Sequence, residues 1–410
     1  MPNSIFSFNL VFTHTEREEV IAAMNLQLEP PEKKSKRKTS QPPSCPSFVL
    51  LPDEILLNCL ARISRAYYWR LSIISKSFRS LLTSKELYAA RSHLGSTEQC
   101  LYVCLSDESY QSPQWFTLCV NPNRTLTAGK SLALIPSSDF PSLSKSTLVV
   151  GSEIYVIGGP VKTEREANEY KSKWVTFKWA CPSSTVRILD CRTHTWRDAP
   201  SMIVAQRHAH TYLYDGKIYV MGGCGVLDEP WGEVFDTNTQ TWKPLSDPAT
   251  EIRSCTFHII KEIKGKIYFW TSDRTYAYDT SQDNWESIAQ LEKSTCLMDV
   301  CCIPKSACID GVWYVYSLTR DCQWTKDGVH WKGVKGLESL TKMYDRNGGL
   351  SGNTTELVSC GGKLLFMWEG YMKHNPCNRK QIWCAEIWKV IMKVRFGGML
   401  SGLMLCKASP

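Results

Sequence analysis

The sequence contains no apolar run long enough to cross a lipid bilayer. Its two candidate runs, residues 5–12 and 399–405, are far shorter than the roughly 20 residues that a membrane-spanning helix needs. The first run lacks a preceding basic segment and is followed by Glu16, Glu18 and Glu19, so it makes a poor signal peptide. We therefore expect a chain that acts in the cytoplasm, the nucleus or both, without a membrane partner.

Cysteine pairs with the spacing of a metal or redox site are also missing, although the chain contains 18 cysteines. No two of them show the C-x-x-C spacing that is typical of zinc and redox sites. They are scattered singly through strand-like segments such as residues 101–105. Because free cysteine is among the most buried residue types, we expect most of these thiols to pack as small apolar side chains in a reducing compartment.

Catalytic motifs are absent as well. The sequence has no G-x-S-x-G elbow, no phosphate-binding loop and no H-E-x-x-H zinc motif. His208 and His210 lie two apart in a predicted strand and could face one side, but nothing supplies a convincing third ligand for copper. We therefore predict no metal, no cofactor and no enzymatic activity. The net charge of +8 is modest and sits partly in one short run, so it does not indicate nucleic-acid binding.

The most informative segment is residues 48–91, which predicts three short helices. Pro52 suits the first position of a helix, and Asp53 and Glu54 suit the first turn. Apolar residues follow at helical spacing: Ile55, Leu56, Cys59, Leu60 and Ile63. A second pattern places on one face Leu71, Ile74, Phe78, Leu81 and Leu82, and either Thr83 or Ser84 could cap a third helix. So small a unit needs a partner; it is either a docking element or a hairpin packed on the next domain.

From about residue 147 a short motif of β-branched and aromatic residues repeats at intervals near fifty residues. Its copies begin at Ser152, Gly216, Gly265, Gly311 and Gly362. In three copies an aspartate precedes a tryptophan by six positions: Asp190 and Trp196, Asp236 and Trp242, Asp279 and Trp285. Trp331 continues the series in a degenerate copy. Short strands at this period predict the radial blades of an all-β propeller.

The repeated residues have predictable structural roles. The apolar run should form an inner strand buried on both faces. Glycine pairs allow a close backbone approach, namely Gly158, Gly159, Gly222 and Gly223. The tryptophans should pack between neighbouring blades from the outer strands: Trp196, Trp242, Trp285 and Trp331. Five blades are recognisable, and a sixth could combine residues 100–119 with a C-terminal strand.

The predicted organisation has five parts. Residues 1–47 form a disordered tail. Its basic run 33–38 is either a nuclear localisation signal or a solubilising segment. Met24 is an alternative translation start. Residues 48–91 form the helical module, and 92–146 are connecting strands and loops that could belong to the propeller. Residues 147–390 form the propeller, with a long insertion at 160–185 that is either a binding loop or a tolerated insertion. Residues 391–410 are an atypical tail.

Two of these segments resemble known modules. The start Leu51-Pro52-Asp53-Glu54-Ile55-Leu56, the later Ser75-Lys76-Ser77-Phe78-Arg79 and the closing Leu81-Leu82 resemble an F-box. The repeats resemble kelch repeats, and their order is similar to that of the plant F-box/kelch-repeat family. The chain departs from that pattern at Trp69-Arg70, where many plant members have a proline, and after Ile387.

The resemblance implies docking on a Skp-type adaptor and, through it, on a cullin–RING ubiquitin ligase. It assigns the adaptor interface or its supporting core to Leu51, Pro52, Ile55, Leu56 and Phe78. The propeller would then bind a target protein through loops at one mouth.

Candidate anchors for that target are Arg207, Arg253 and Trp231, although buried arginine–backbone bonding would explain the arginines equally well. Two further hypotheses remain open: a propeller enzyme of metal-oxidase or specifier type, and an interaction scaffold outside the ligase.

Overall fold

A computed structural model describes part of the chain in detail. The described residues are 8–13, 51–105, 114–120, 133–135, 146–161, 181–207, 209–225, 227–254, 259–263, 265–270, 275–289, 305–309, 311–316, 322–326, 332–335, 337–346, 355–360, 363–371, 380–387 and 402–405. The chain divides into two compact units, one of residues 14–97 and one of residues 1–13 together with 98–410. No helix in the described parts is long and apolar enough to cross a membrane. The basic run at 33–38 and the insertion between 162 and 180 lie outside these residues.

The smaller unit is helical. It consists of α1 (Asp53–Ala61), a short 3₁₀ turn (Arg65–Tyr67), α2 (Tyr68–Ile74), α3 (Lys76–Leu82) and α4 (Lys85–His93). Pro52 occupies the N-cap of α1. The core of this unit is formed by the buried side chains of Leu56, Leu60, Ala61, Tyr68, Leu82 and Leu87.

The predicted second helix is two helices, because Ser75 interrupts it. Ser75 has an extended backbone, and its hydroxyl oxygen accepts a hydrogen bond from the Phe78 amide at 3.1 Å. An extended residue cannot continue a helix, and a serine that satisfies a free amide begins a new one. Ile74 is consequently 65% exposed instead of lying on the buried face. Of the two candidate caps for the last helix, Ser84 is the one that accepts from Leu87.

The larger unit contains six four-stranded antiparallel sheets among the described residues. Sheet 1 is β1 (Phe8–Thr13), β2 (Gln99–Leu105), β3 (Gln114–Val120) and β4 (Ala133–Ile135). Sheet 2 is β5 (Thr147–Val150), β6 (Glu153–Ile157), β9 (Val186–Asp190) and β10 (Thr195–Ala199). Between β6 and β9 the chain forms a separate two-stranded sheet of β7 (Pro160–Val161) and β8 (Cys181–Pro182).

The remaining sheets follow the same order. Sheet 3 is β11 (His210–Tyr214), β12 (Lys217–Met221), β13 (Gly232–Asp236) and β14 (Thr241–Pro244), followed by helix α5 (Thr250–Ser254). Sheet 4 is β15 (Ile259–Ile263), β16 (Lys266–Trp270), β17 (Thr275–Asp279) and β18 (Asn284–Ala289).

Sheet 5 is β19 (Lys305–Ile309), β20 (Val312–Tyr316), β21 (Cys322–Thr325) and β22 (Lys332–Gly333), followed by helix α6 (Glu338–Arg346). Sheet 6 is β23 (Thr355–Cys360), β24 (Lys363–Tyr371), β25 (Lys380–Ile387) and β26 (Gly402–Leu405).

The first strands of neighbouring sheets lie against one another. β1 contacts β5 and β23, β11 contacts β5 and β15, and β19 contacts β23. This adjacency is the radial arrangement of a propeller, so the predicted fold class is confirmed. The repeated Ile-Tyr-Val run is the second strand of its sheet, and its residues are buried because a strand lies on either side and a neighbouring blade covers each face.

Blade 1 is completed by the N-terminus, which differs from the expected disordered tail over residues 1–47. The strand β1 pairs with β2, whereas the sequence suggested a C-terminal partner for residues 100–119. The segment Phe8-Asn9-Leu10-Val11-Phe12 is rich in residues that favour strands. The C-terminal strand β26 is instead the last strand of blade 6, within the segment expected to be an atypical tail.

Each blade has two different ends. The turn between its first and second strands and the turn between its third and fourth strands meet at one end, as shown by the Thr237 hydroxyl, which donates to the Gly216 carbonyl at 2.6 Å. We call this the hairpin end. The connection between the second and third strands and the connection to the next blade lie at the opposite end, where the Gly159 amide donates to the Gln206 carbonyl at 2.9 Å. We call this the loop end.

Alanine at Gly158 should lower the free energy of unfolding more than alanine at Gly151. Both residues have positive φ, +56° and +59°, so both substitutions carry a left-handed penalty of about 1 kcal/mol. A Cβ at Gly158 would also lie 2.7 Å from the Gln206 carbonyl oxygen and 2.9 Å from that of Ser183, whereas nothing lies within 4 Å at Gly151. We expect a further loss of about 1–3 kcal/mol at Gly158 in urea denaturation; equal losses would contradict this close approach.

Candidate functional site

The five residues assigned to adaptor docking divide into an exposed and a buried group. Leu51 is 39% and Ile55 50% exposed, and Pro52 is exposed at the N-cap between them. Leu56 is 7% exposed and lies in the helical core, against which Phe78 packs while partly buried. The structure thus presents one exposed apolar side chain just before α1 and one in its first turn, and supports them from beneath.

A second exposed apolar pair lies at the end of α2. Ile73 is 69% and Ile74 65% exposed. The helical periodicity gave no signal for this pair, because it continued the helix through Ser75 and turned Ile74 inward. A serine that can cap a new helix, followed by Phe78 three residues later, is the feature that could have located the break.

The helical unit is fastened internally by Arg91, which is 3% exposed. Its guanidinium donates to the carbonyl oxygens of Ala61 at 3.1 Å and Ile63 at 2.6 Å and to the Tyr68 hydroxyl at 2.9 Å. It also donates to the carbonyl of Ser96. These bonds tie α4 to the end of α1, since they satisfy carbonyls that the helix end leaves without partners. Sequence reasoning did not assign Arg91 any role.

The repeat tryptophans lie between blades. Trp196 packs edge-on against Trp115 of blade 1, with ring centroids 5.7 Å apart. The indole nitrogen of Trp242 donates to the Pro200 carbonyl at 2.8 Å, and that of Trp285 donates to the Ser246 carbonyl at 3.0 Å. In each case the tryptophan of one blade reaches the preceding one. Trp331 lies outside the described residues.

The repeat aspartates close the turns at the hairpin end. The Asp236 carboxylate accepts from the amides of Asn238 at 2.9 Å and Thr239 at 3.1 Å. The bond from Thr239 and then that from Asn238 lower the pKa of Asp236. Four residues after each aspartate the chain adopts positive φ, at His194, Gln240 and Asp283. Such a turn favours a short acceptor side chain at its start.

At the loop end, two of the three predicted target anchors are buried. Trp231 is 3% exposed and packs edge-on against Trp285 at 5.6 Å, so its prediction as an exposed anchor is wrong. The Arg253 side chain is 8% exposed, forms an ion pair with Asp247, and donates to the Asp228 carbonyl at 3.2 Å. The spacing of these residues in the sequence does not reveal that the blade interface runs beneath this loop.

Arg207 lies half-buried at the same end, and its amide donates to the Gly223 carbonyl at 2.9 Å. That bond joins the connection between blades 2 and 3 to the second strand of blade 3. The assignment of its side chain to target binding stays a prediction.

Residues 224–231, here called the blade-3 loop, present a different side chain. Leu227 is 92% exposed, and the neighbouring Asp228 carboxylate accepts from the Gly225 amide at 2.7 Å. The Asp228 amide in turn donates to the Gly225 carbonyl at 3.1 Å. Arg253 binds the Asp228 carbonyl and Trp231 lies in the core, so the segment after Leu227 is held in place while the Leu227 side chain faces solvent. Val226 lies outside the described residues.

Ile203 presents a second exposed side chain, 53% exposed, on the connection from blade 2 to blade 3. The carboxylate of Glu233, which is fully buried, accepts from the Ile203 amide at 2.7 Å and the Val204 amide at 2.9 Å. Burial raises the pKa of Glu233, although these two bonds oppose the shift. The connection is therefore held by a buried carboxylate that would hold a proton more readily than an exposed glutamate.

The described residues offer no catalytic arrangement. Within them, no group of three or more histidine, cysteine or acidic side chains could hold a metal ion. His210 opens β11, but His208 lies outside the described residues, so the predicted pair is untested. Burial raises the pKa of the Cys322 thiol to about 12 and raises that of Cys104 as well, which makes both poor nucleophiles.

Comparison with known proteins agrees with both units. The F-box domain model matches residues 48–89, and the model described as FKB95, Kelch-repeats domain, matches residues 115–389. The chain belongs to the F-box/kelch-repeat family. Two F-box/kelch-repeat proteins of Arabidopsis thaliana are each 52% identical to it. One aligns over 406 residues, covering 93% of this chain and 94% of the relative. The other aligns over 395 residues, covering 92% and 93%.

A solved structure titled "Structure of YjhT" matches with a TM-score of 0.38 and 12% identity, covering 60% of this chain and 82% of that chain. This similarity is too low to support a fold assignment, and the propeller assignment rests on the strand pairing.

F-box/kelch-repeat proteins generally act as non-catalytic substrate adaptors of Skp–cullin–F-box ubiquitin ligases.

Replacing Arg91 by alanine should destabilise the F-box unit by about 2–4 kcal/mol, because buried carbonyls would lose their donor. Arg79→Ala is the matched control: Arg79 is exposed and makes one long bond to the Ser72 carbonyl at 3.4 Å. We expect the control to change stability by no more than about 0.5 kcal/mol. Native-state hydrogen exchange of the α4 amides measures both. Similar effects of the two substitutions would show that Arg91 does not fasten the unit.

Trp231→Ala should cost the propeller about 3–5 kcal/mol of unfolding free energy, because it empties a buried site between blades 3 and 4. Leu227→Ala, four residues earlier in the same loop, should change it by no more than about 0.5 kcal/mol. Thermal unfolding followed by tryptophan fluorescence would separate the two. A neutral Trp231→Ala would return that residue to the list of candidate anchors.

Proposed function

We propose that this protein is the substrate-recognition subunit of a Skp–cullin–F-box ubiquitin ligase. Its F-box docks on a Skp-type adaptor, and its kelch propeller binds a target protein. The chain performs no chemistry of its own, since ubiquitin transfer belongs to other subunits, and its contribution is to hold the target near the transfer site. The basic run at 33–38 fits a protein that works in the nucleus as well as the cytoplasm.

The observation that carries this proposal is the exposed apolar surface of the F-box unit. Leu51 and Ile55 leave 39% and 50% of their area in water, although α1 could have placed polar residues there at no structural cost. Burying one such side chain against a partner contributes about 1–2 kcal/mol. A unit this small also gains stability from being covered. Pro52 fits between them at the N-cap, with Leu56 and Phe78 supporting the surface from the core.

Target binding is assigned to the loop end of the propeller. Exposed apolar side chains occur there on two connections whose backbone amides are held by buried or neighbouring carboxylates. We propose Leu227 and Ile203 as apolar contacts and retain Arg207, while Arg253 and Trp231 shape the blade-3 loop from beneath. Fixed backbones that present exposed side chains bind with little ordering cost.

Two alternatives lack a supporting observation. Nothing among the described residues favours a metal oxidase or a specifier enzyme, since no ligand cluster or activated nucleophile occurs there. A scaffold outside the ligase would keep the propeller loops but would not need an apolar face on α1.

Leu51→Asp should weaken binding to a purified Skp-type adaptor at least about 30-fold, because a carboxylate would be desolvated where an apolar side chain is buried. Ile55→Asp should have the same effect. Leu94→Asp is the matched control, since Leu94 is 37% exposed, nearly as much as Leu51, but lies at the end of α4. Isothermal titration calorimetry of the full chain measures all three, with circular dichroism as the check on folding.

The outcomes separate the hypotheses. Binding by the parent and by Leu94→Asp, with loss in the other two variants, supports the ligase function and this interface. A folded parent that does not bind the adaptor would refute the proposal in favour of a scaffold. Equal losses in all three variants would keep the adaptor as partner but refute the assigned surface.

A further inference from the structure

The first strand of blade 1 is separated along the chain from the strand it pairs with by the whole F-box unit. All six residues of β1 have partners on β2, from Phe8 opposite Leu105 to Thr13 opposite Cys100. In the other blades a tight turn joins the first and second strands wherever that turn is described, for example at Gly151 and at Asp215-Gly216. Blade 1 therefore holds its first strand by pairing, without a short covalent turn.

The strand β1 joins blade 1 to both of its neighbours. β1 contacts β5 of blade 2 on one side and β23 of blade 6 on the other. Without it, β2 would present a free edge at the centre of the propeller, and its apolar residues would lose cover. Four of these are fully buried: Cys100, Leu101, Tyr102 and Val103. A free strand edge beside apolar surface is a template for the addition of another strand.

The long tether makes β1 an intramolecular ligand. Because residues 14–98 stand where the other blades have a tight turn, the strand stays in place only as far as its own pairing and packing hold it. The sequence of β1 suits an added strand, because Phe8, Leu10, Val11 and Phe12 favour extended structure and residues 8–13 carry no charge.

We propose that the inner edge of β2, between β5 and β23, is a binding site for an extended apolar segment, and that the chain's own Phe8–Thr13 is its occupant. Blade 1 is then completed by a segment that lies before the F-box unit in the chain and that can detach from its neighbours without breaking any covalent bond. Release of this segment would open the centre of the ring while the F-box remains joined to the propeller at Gln99.

The test uses the full chain with Leu10→Pro and Val11→Pro together. The N–H groups of successive strand residues point to opposite edges of the strand. One of the two prolines therefore removes an N–H donor that faces β2, whether that donor belongs to residue 10 or to residue 11. A fluorescent peptide with the sequence of residues 6–15 is the probe. The control carries prolines at Glu18 and Glu19, beyond the range of β1.

We expect the peptide to bind the double-proline variant at least 10-fold more tightly than the parent or the control, because the tethered strand competes for the site only where it is intact. Fluorescence anisotropy measures the affinities, and hydrogen exchange in blades 3 and 4 checks folding. Equal affinity for all three proteins, or no binding to a folded double-proline variant, would overturn the proposal.

A second experiment applies even if the proline variant does not fold. Asn9 lies opposite Cys104, so Asn9→Cys places two thiols within the Cα separation that a disulfide spans. Leu10→Cys lies opposite Val103 and is the control. After refolding in a glutathione redox buffer, which lets thiols react before burial shields Cys104, peptide mass spectrometry should show position 9 joined to Cys104 in the first variant, and at least 10-fold less linkage to Cys104 in the control. Equal linkage in both, or none in the first, would refute the pairing of β1 with β2.

Discussion

Each sheet of this protein must bury both of its faces, and most of the cover comes from the neighbouring sheets. The second strands show the constraint directly: Ile154 and Ile218 are fully buried in strands that have a neighbour on each side. The tryptophans of the fourth strands extend the same burial outward, because each reaches back to the preceding blade. A propeller built in this way is stabilised between blades as much as within them, so a gap in the ring exposes two faces at once.

The propeller could be predicted from the sequence because its signals are local. The Ile-Tyr-Val run, the glycine pairs and the aspartate six residues before a tryptophan all lie within one blade, and the fold class that they predicted is confirmed. The inner strand predicted from this run is the second of four strands, with a neighbour on each side. The first strand of blade 1 could not be predicted, because it comes from the other side of the F-box and has no repeat signature.

The functional surfaces were harder to predict, because the exposure of a side chain depends on contacts between segments that are distant in the sequence. Trp231 and Arg253 have residue types that often anchor a partner, yet both side chains are buried, because the blade-3 loop and helix α5 pack against each other beside the interface between blades 3 and 4. Leu227, an ordinary residue in the same loop, is the exposed one. In the F-box the core residues Leu56 and Leu60 followed the helical period, but the exposed pair at the end of α2 depended on Ser75, whose cap outweighs the apolar periodicity around it.

The connectivity of blade 1 relates the two surfaces. The chain passes from the propeller at Thr13 into the F-box unit and returns at Gln99, five residues after Leu94 caps α4. The strand β1 lies where the chain leaves the propeller for the F-box unit, and it also contacts β5 of blade 2 and β23 of blade 6. The packing of three blades therefore depends on a strand that the F-box unit separates from its partner along the chain, whereas the covalent attachment of the F-box at Gln99 does not depend on it.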